Sequence, residues 1–430
     1  MPPAFRAHNA PQHRLSSLRG AKMAPRVGLQ TTTSSISFST QKSETGSIYS
    51  YGKGFLGSLG TSSYEDVQVP TAIVVDKSVK SISSGWAHAG FVTDDGDAYL
   101  FGRSHSFKDV LRTTNMYRIA PWLVHSINGL TKRMSIDTLA PGRIELKNDE
   151  SIERIFCSTA LSLILTSSGK VYSTGANAYG QCGIGTESFT VHEPQRVVFP
   201  GEEEGNQNEI IVDVAAGYQH GIALTENGQV YTWGKGERGQ LGYGTANTKR
   251  PQQVIALQNQ RFTKISAGFN TSCALTANGE LFVWGKLLGL DGNDTENIDQ
   301  VTPRRVPTME RVTQMESSHF HTAFITEDGN AWILGRTPTV QRHQDRMTRI
   351  ASTTHSVPFK VSAEDILPSM KHVCKLGKGV HKTTFITTDG KVFDWTFEKG
   401  FGENRDVSGL HVLAYESGYQ SSLLLGVPRT

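Results

Sequence analysis

Three histidines invite a metal. His88, His220 and His321 each stand three residues after a small residue, Gly85, Gly217 and Ser318, and neutral imidazole is the commonest side-chain ligand for zinc or copper. Their context argues against one shared ion. Segments of the same pattern carry Leu161, Thr271, Lys382 and Ser421 at that position. The histidines therefore sit in equivalent places of separate repeats, which spread around a structure instead of converging, and each is expected to bond to loop backbone within its own repeat. The cysteines Cys157, Cys182, Cys273 and Cys374 form no Cys-x-x-Cys pair and read as small core residues of a reduced compartment. No nucleophile elbow, phosphate-cradling glycine loop or zinc spacing occurs, so neither bond-making chemistry nor a cofactor is expected. Charged surface remains. Glu202, Glu203 and Glu204 lie in the acidic stretch 201–209, and a wedge of carboxylates there could engage a lysine of a partner's phosphate site. Arg342, Arg346 and Arg349 lie in the basic stretch 336–357, and guanidinium groups suit phosphate. A second basic stretch, 103–150, carries Arg103, Lys108, Arg112, Arg118, Lys132, Arg133, Arg143 and Lys147.

These side chains must be positioned by one recurring frame. Its clearest copies run from Gly217 to Gly234 and from Gly268 to Gly285. Turn glycines fall at Gly46, Gly96, Gly169, Gly228, Gly279, Gly329 and Gly390, 50 to 73 residues apart. An aromatic follows each by three residues: Tyr49, Tyr99, Tyr172, Tyr231, Phe282, Trp332 and Phe393. A second glycine follows three later in six copies, and a threonine precedes the turn glycine by three in six. Asp-Gly and Asn-Gly pairs accept the positive φ of tight hairpin turns, and the alternating flanks read as half-buried strands. A third element, Pro-x-x-Val or close to it, starts at Pro70, Pro121, Pro194, Pro251, Pro303 and Pro358. Proline at a strand start fits a sheet edge. Three or four short strands per unit describe a propeller blade. The final segment around Val412 to Leu425 is the strand missing before the first copy. It is expected to pair with the N-terminal half-blade around Ile48 to Gly60, closing an all-β, seven-bladed propeller without a long open edge.

With the loop Gly239-Gln-Leu-Gly242 and its variants Gly180-Gln-Cys-Gly183 and Gly57-Ser-Leu-Gly60, the frame resembles the regulator of chromosome condensation family of seven-bladed propellers over residues 46–426. Members include exchange factors for small GTPases, ubiquitin-ligase appendages, a plant ultraviolet photoreceptor and mitochondrial forms. The photoreceptor reading fails on residues: it needs a dense tryptophan face with arginines, whereas Gly85-Trp-Ala-His88 has alanine where arginine would fall and the chain has six tryptophans. Trp233, Trp284 and Trp395 share one register and read as packing residues.

The first 43 residues differ from the rest. They hold no acid and six bases, Arg6, Arg14, Arg19, Lys22, Arg26 and Lys42, with serine and threonine dense from Thr31 to Ser43. That is the composition of a mitochondrial transit peptide, with a nucleic-acid-binding tail as the alternative. Without the arm, 37 bases face 40 acids, a net of −3, which argues against a DNA-coating surface. No apolar run reaches the ~18 residues of a spanning helix. The domain reading is a cleaved arm at 1–43 and a propeller at 44–430 with insertions at 103–150, 201–209 and 336–357. The resemblance to mitochondrial forms implies a matrix or matrix-side inner-membrane protein, peripherally associated at most. It implies guanine-nucleotide exchange on a mitochondrial GTPase of dynamin-related type, with a role in mitochondrial fusion and ribosome assembly. The alternative is a non-exchanging scaffold on large-subunit rRNA or its assembly factors.

Overall fold

The computed structural model describes residues 46–103, 138–146, 148–159, 161–201, 209–288, 297–308, 310–319, 321–343, 346–361, 372–379, 382–396 and 400–429. The predicted wedge, Glu202 to Glu204, and the arm at 1–43 lie outside them, as does Pro121. Among the described residues the regular elements are strands, with short 3₁₀ turns at Phe55–Gly57, Ile255–Leu257 and Arg405–Val407.

Among the described residues the strands form five four-stranded antiparallel sheets and one eight-stranded sheet, which divides at a two-residue parallel contact into two further four-stranded antiparallel units. Blade 1 takes its two inner strands from the C-terminal part of the chain, Leu410–Ser417 and Ser421–Pro428, and its two outer strands from Ser47–Gly52 and Val67–Ala72. Blades 2 to 6 are each continuous in sequence, with inner strands Val79–Ser84, Ile152–Cys157, Ile211–Ala216, Phe262–Ala267 and Val312–Ser317. Blade 7 runs inward to outward through Val373–Gly379, Lys382–Thr387, Val392–Thr396 and Gly400–Glu403. The expected closure is present: Ser47–Gly52 pairs antiparallel with Ser421–Pro428, Ile48 opposite Leu425 and Ser50 opposite Leu423. The seam is reinforced by a short parallel pairing of inner strands, Lys378 opposite Glu416 and Gly379 opposite Ser417. Gly377 permits it, since a Cβ there would stand 2.5 Å from the Tyr415 carbonyl.

The repeat residues now have physical roles. Gly228 has φ +80° and its N–H donates to the Thr225 carbonyl at 2.9 Å, closing the turn between second and third strands. The threonine hydroxyl accepts from the residue after the glycine: Gln229 N–H to Thr225 Oγ1 is 3.1 Å, and Glu280 to Thr276 is 3.0 Å. Gly46 departs from the set; it precedes a strand and is not left-handed. The second glycine serves the opposite blade end. A Cβ on Gly234 would lie 2.6 Å from the Gln219 carbonyl, the same carbonyl that accepts the Lys235 N–H at 2.8 Å. Prolines Pro70, Pro194, Pro251, Pro303 and Pro358 lie in outermost strands, where a missing donor costs no ladder bond. In blade 2 the fourth strand is Thr138–Arg143, so Pro141-Gly-Arg-Ile144 fills the slot expected at Pro121. Ile144 N–H donates to the Ala98 carbonyl at 2.8 Å, as Val254 does to Val230 at 2.9 Å. Arg143 thus belongs to the blade, held by Asp97 at 2.6 Å, and not to the insertion.

Candidate functional site

Alternating strand direction sorts the loops onto two faces. Each inner strand ends on the face where the second glycines lie, and the connections between third and fourth strands emerge there too. The turn glycines and the connections from one blade to the next lie on the opposite face.

On the first face a single register position builds an aromatic crown. In five blades the residue following the small residue at the inner-strand end is Trp86, Tyr218, Phe269, His319 or Tyr419, each half-buried, whereas blade 3 has the buried Thr159 there. Tyr218 stacks on Phe269 with centroids 4.1 Å apart, and Phe269 meets His319 edge-on at 4.6 Å. Trp86 lies 5.2 Å from Tyr419, with Phe55 edge-on at 6.1 Å. Main-chain bonds between blades hold these turns together: Trp86 N–H to the Ser158 carbonyl at 3.1 Å, Tyr218 N–H to Phe269 at 3.1 Å and Tyr419 N–H to Trp86 at 3.3 Å. A Cβ on Gly85 would sit 1.9 Å from the Ser158 carbonyl, so glycine is required for that approach. Beneath the crown the central channel keeps a cavity of about 30 Å3, reached by Ser158, Ser318 and Lys378. That admits about two water molecules, far below the ~300 Å3 of a small-molecule pocket.

The histidines are clasps between blades. His88 Nε2 lies 3.1 Å from Ser162 Oγ, His220 Nε2 2.9 Å from Ser272 Oγ and His321 Nε2 2.7 Å from Thr383 Oγ1, in each case a hydroxyl of the next blade. The expectation of a bond to loop backbone within the same blade gives way to a hydroxyl of the next blade at matching height, and His321 Nδ1 also lies 3.2 Å from Ser318 Oγ in its own loop. Burial lowers His220 to about 3 and His321 to about 4, so both are neutral. Among the described residues no group of three His, Cys, Asp or Glu side chains is placed to hold a metal. In blade 7, Lys382 occupies the histidine position and reaches Ser422 Oγ at 3.1 Å and Tyr415 OH at 2.8 Å. It joins a half-buried network in which Asn404 Nδ2 donates to Tyr51 OH and Asp394 Oδ2, each at 2.8 Å. The tryptophans also bridge blades: Trp233 Nε1 donates to the Gln181 carbonyl and Trp284 Nε1 to the Gln240 carbonyl, both at 2.9 Å. Those acceptors belong to the Gly-Gln-x-Gly loops of the preceding blade, which explains why that loop recurs. Cys157, Cys182 and Cys273 are buried, with burial pushing each thiol to about 12; Cys374 is partly exposed.

The sequence-predicted charged stretches part company. The 336–357 stretch is a two-stranded ribbon instead of a loop, continuing Ala331–His343 and Arg346–Lys360 past the blade on the crown face. Along its ladder Arg342 pairs with Met347 and Val340 with Arg349, whereas Arg346 pairs with His343. Arg342 and Arg349 thus share one parity of the ribbon and Arg346 the other. The 104–137 segment is spanned by Arg103 and Thr138, also on the crown face. The acidic segment is spanned by Gly201 and Glu209 on the opposite face, where Ile211 N–H bonds the Gly169 carbonyl at 3.1 Å. Glu202, Glu203 and Glu204 themselves lie outside the described residues.

The comparisons agree with this architecture. The family model described as RCC1-like domain matches residues 29–287. The ultraviolet-B receptor UVR8 of Arabidopsis thaliana is 28% identical over 295 residues, 67% of this chain and 60% of that protein. A mouse protein named secretion-regulating guanine nucleotide exchange factor is 27% identical over 313 residues, 67% of this chain and 59% of that one. The Arabidopsis thaliana protein named RCC1 domain-containing protein RUG3, mitochondrial, is 28% identical over 244 residues, 56% of this chain and 50% of that one. The chain thus spans between half and two thirds of these relatives' lengths. The crystal structure of human WBSCR16 superposes with a TM-score of 0.69 at 19% identity, covering 90% of this chain and 100% of that one.

Proposed function

This chain belongs to the RCC1-like domain family, which includes exchange factors for small GTPases, and from that premise we propose that it is a guanine-nucleotide exchange factor for a mitochondrial GTPase of dynamin-related type. The observation that carries the reading is the 27% identity over 313 residues to a relative itself named as an exchange factor. Exchange of this kind forms no covalent bond. A loop displaces the elements that hold the nucleotide, so the phosphates lose their backbone N–H and magnesium contacts and leave. The acidic segment 201–209 is assigned as the displacing loop, with Glu202, Glu203 and Glu204 drawing a phosphate-site lysine away from the nucleotide. The mitochondrial placement is supported by the acid-free, basic 1–43 arm, read as a transit peptide, and by the relative named mitochondrial.

One observation favours a second role. The two-stranded ribbon whose sequence carries Arg342, Arg346 and Arg349 leaves blade 6 on the face of the aromatic crown, and a face that offers both aromatic and basic residues suits single-stranded RNA. A scaffold on mitochondrial rRNA would use that face, and both roles can coexist on one ring. Paired variants separate them. Glu202, Glu203 and Glu204 changed together to Ala slow partner nucleotide release and leave RNA association unchanged if the acidic face exchanges. Arg342, Arg346 and Arg349 changed together to Ala weaken RNA association and flatten its salt dependence if the ribbon contacts phosphates. Unchanged release in the first variant removes the wedge assignment; unchanged RNA crosslinking in the second removes the scaffold role.

A further inference from the structure

The inner strands carry a pattern that no single blade reveals. Taken around the ring from blade 3 to blade 1, they present Arg154, Asp213, Lys264, Glu316, Lys378 and Glu416. These residues stand at three heights of the inner strand: Arg154, Asp213 and Lys264 four residues before the small residue at its end, Glu316 and Glu416 two before it and Lys378 one before it, while blade 2 has Ser81 and Ser83 at the first two heights. Neighbours attract directly: Arg154 Nη1 lies 3.3 Å from Asp213 Oδ1, and Lys378 lies opposite Glu416 in the parallel pairing. The groups also act across the channel, since Asp213 feels both Glu316 and Lys378, and Glu416 feels both as well.

We propose that these six side chains make the central channel a proton-sensitive element, in which the cohesion of the ring depends on how many of its three carboxylates are ionised. The geometry sets the charge range. With all three ionised the six groups sum to zero; with all three protonated they carry +3. Lys378 reaches the cavity under the crown, so proton uptake below changes the charge presented at that face.

The direction follows from the surroundings. Walls enclose the three carboxylates although water can touch them, and burial is the largest influence on each. It raises Asp213 to about 6 against the opposing pull of Arg154. It raises Glu316 against Lys378, Ser266 and Lys264, and raises Glu416 well above the usual range, aided by Glu316 and opposed by Lys378. The remaining ionisable neighbours do not compete for the proton in this range: Cys157 beside Glu416 and Cys273 beside Glu316 are pushed up to about 12, and His220 near Lys378 down to about 3. At the blade 2 edge, Lys80 is engaged by Glu153 at 2.8 Å. A carboxyl whose folded pKa exceeds its unfolded value contributes stability that is full below the unfolded value and lost as pH rises through the folded one. The folded ring therefore gains stability from these three groups when they are protonated and loses it as they ionise, burial outweighing the attraction of the neighbouring cations.

Melting temperatures of the full chain from pH 5 to pH 8 test this with two variants. Glu416→Gln keeps the neutral form at every pH. Its melting temperature is expected to match wild type near pH 5 and to exceed it increasingly toward pH 8. Lys378→Met leaves three carboxylates facing two cations. Its deficit is expected to be largest at pH 8 and to shrink toward pH 5. A constant offset in both variants means that only packing was changed and overturns the proposal. So does a Glu416→Gln variant that is least stable, relative to wild type, at pH 8.

Discussion

Removing the closing strands is the sharpest test of the ring. Deleting residues 410–430 takes away both inner strands of blade 1 and leaves Ser47–Gly52 without its partner. The deleted strands bury Val412, Tyr415, Leu423, Leu424 and Leu425, none more than 8% exposed. At ~1.5–3 kcal/mol for each buried side chain, the loss is roughly 8–15 kcal/mol. That equals the whole stability of a typical domain, about 5–15 kcal/mol, before counting the severed Tyr51–Tyr415 hydroxyl contact at 2.5 Å or the two exposed sheet edges. The truncated chain is expected to lose cooperative melting and near-ultraviolet circular dichroism, and to be digested rapidly by protease. A milder perturbation gives a number: Leu424→Ala, at a site with no exposure, is expected to cost about 2–5 kcal/mol and to be read as a lower melting temperature. A truncated protein that stays soluble with an unchanged melting temperature would refute the closure and the blade count that depends on it.

Other outcomes follow from the same contacts. His220 and His321 are held neutral, at about 3 and about 4, against an ordinary value of 6.5. Each contributes stability that is full above pH 6.5 and lost as pH falls toward those values. The cost of His220→Asn should therefore be greatest near pH 7.5 and shrink toward pH 4.5 in thermal melts; a pH-independent cost would mean that the clasp is not what the substitution removes. In native protein a thiol reagent should label Cys374 first, with Cys157, Cys182 and Cys273 reacting only on unfolding; mass spectrometry of labelled peptides checks the order. Trp284→Phe, which removes the bond to the Gln240 carbonyl, should destabilise by about 1–3 kcal/mol while leaving the ring closed.

The fold was legible because its determinants are local and repeated. Turn glycine, threonine, second glycine and edge proline each solve one backbone problem inside one blade, so seven copies announce themselves. The exception is instructive: in blade 2 a long insertion separates third and fourth strands, and Pro121 mimicked the slot that Pro141 fills. Contacts between blades were harder to read. The partners of His88, His220 and His321 lie 62 to 74 residues away or at 52 in the case of His220, and nothing near them in sequence marks the hydroxyl. The crown was visible in retrospect as the residue after Gly85, Gly217, Gly268, Ser318 and Gly418. The charged residues of the inner strands were not, because within one blade each looks like an ordinary polar position of a half-buried strand. That Gly201 and Glu209, the flanks of the acidic stretch, lie on the face opposite the ribbon follows from strand direction, which composition does not encode.

The central claim is exchange, and it is tested most directly by release of a fluorescent guanine nucleotide from purified candidate mitochondrial GTPases. The propeller without its 1–43 arm is expected to accelerate release from one of them in a concentration-dependent way, and the variant with Glu202, Glu203 and Glu204 all changed to Ala is expected to lose most of that acceleration while melting at the wild-type temperature. Release at the intrinsic rate from every candidate, at saturating folded propeller, would contradict the account.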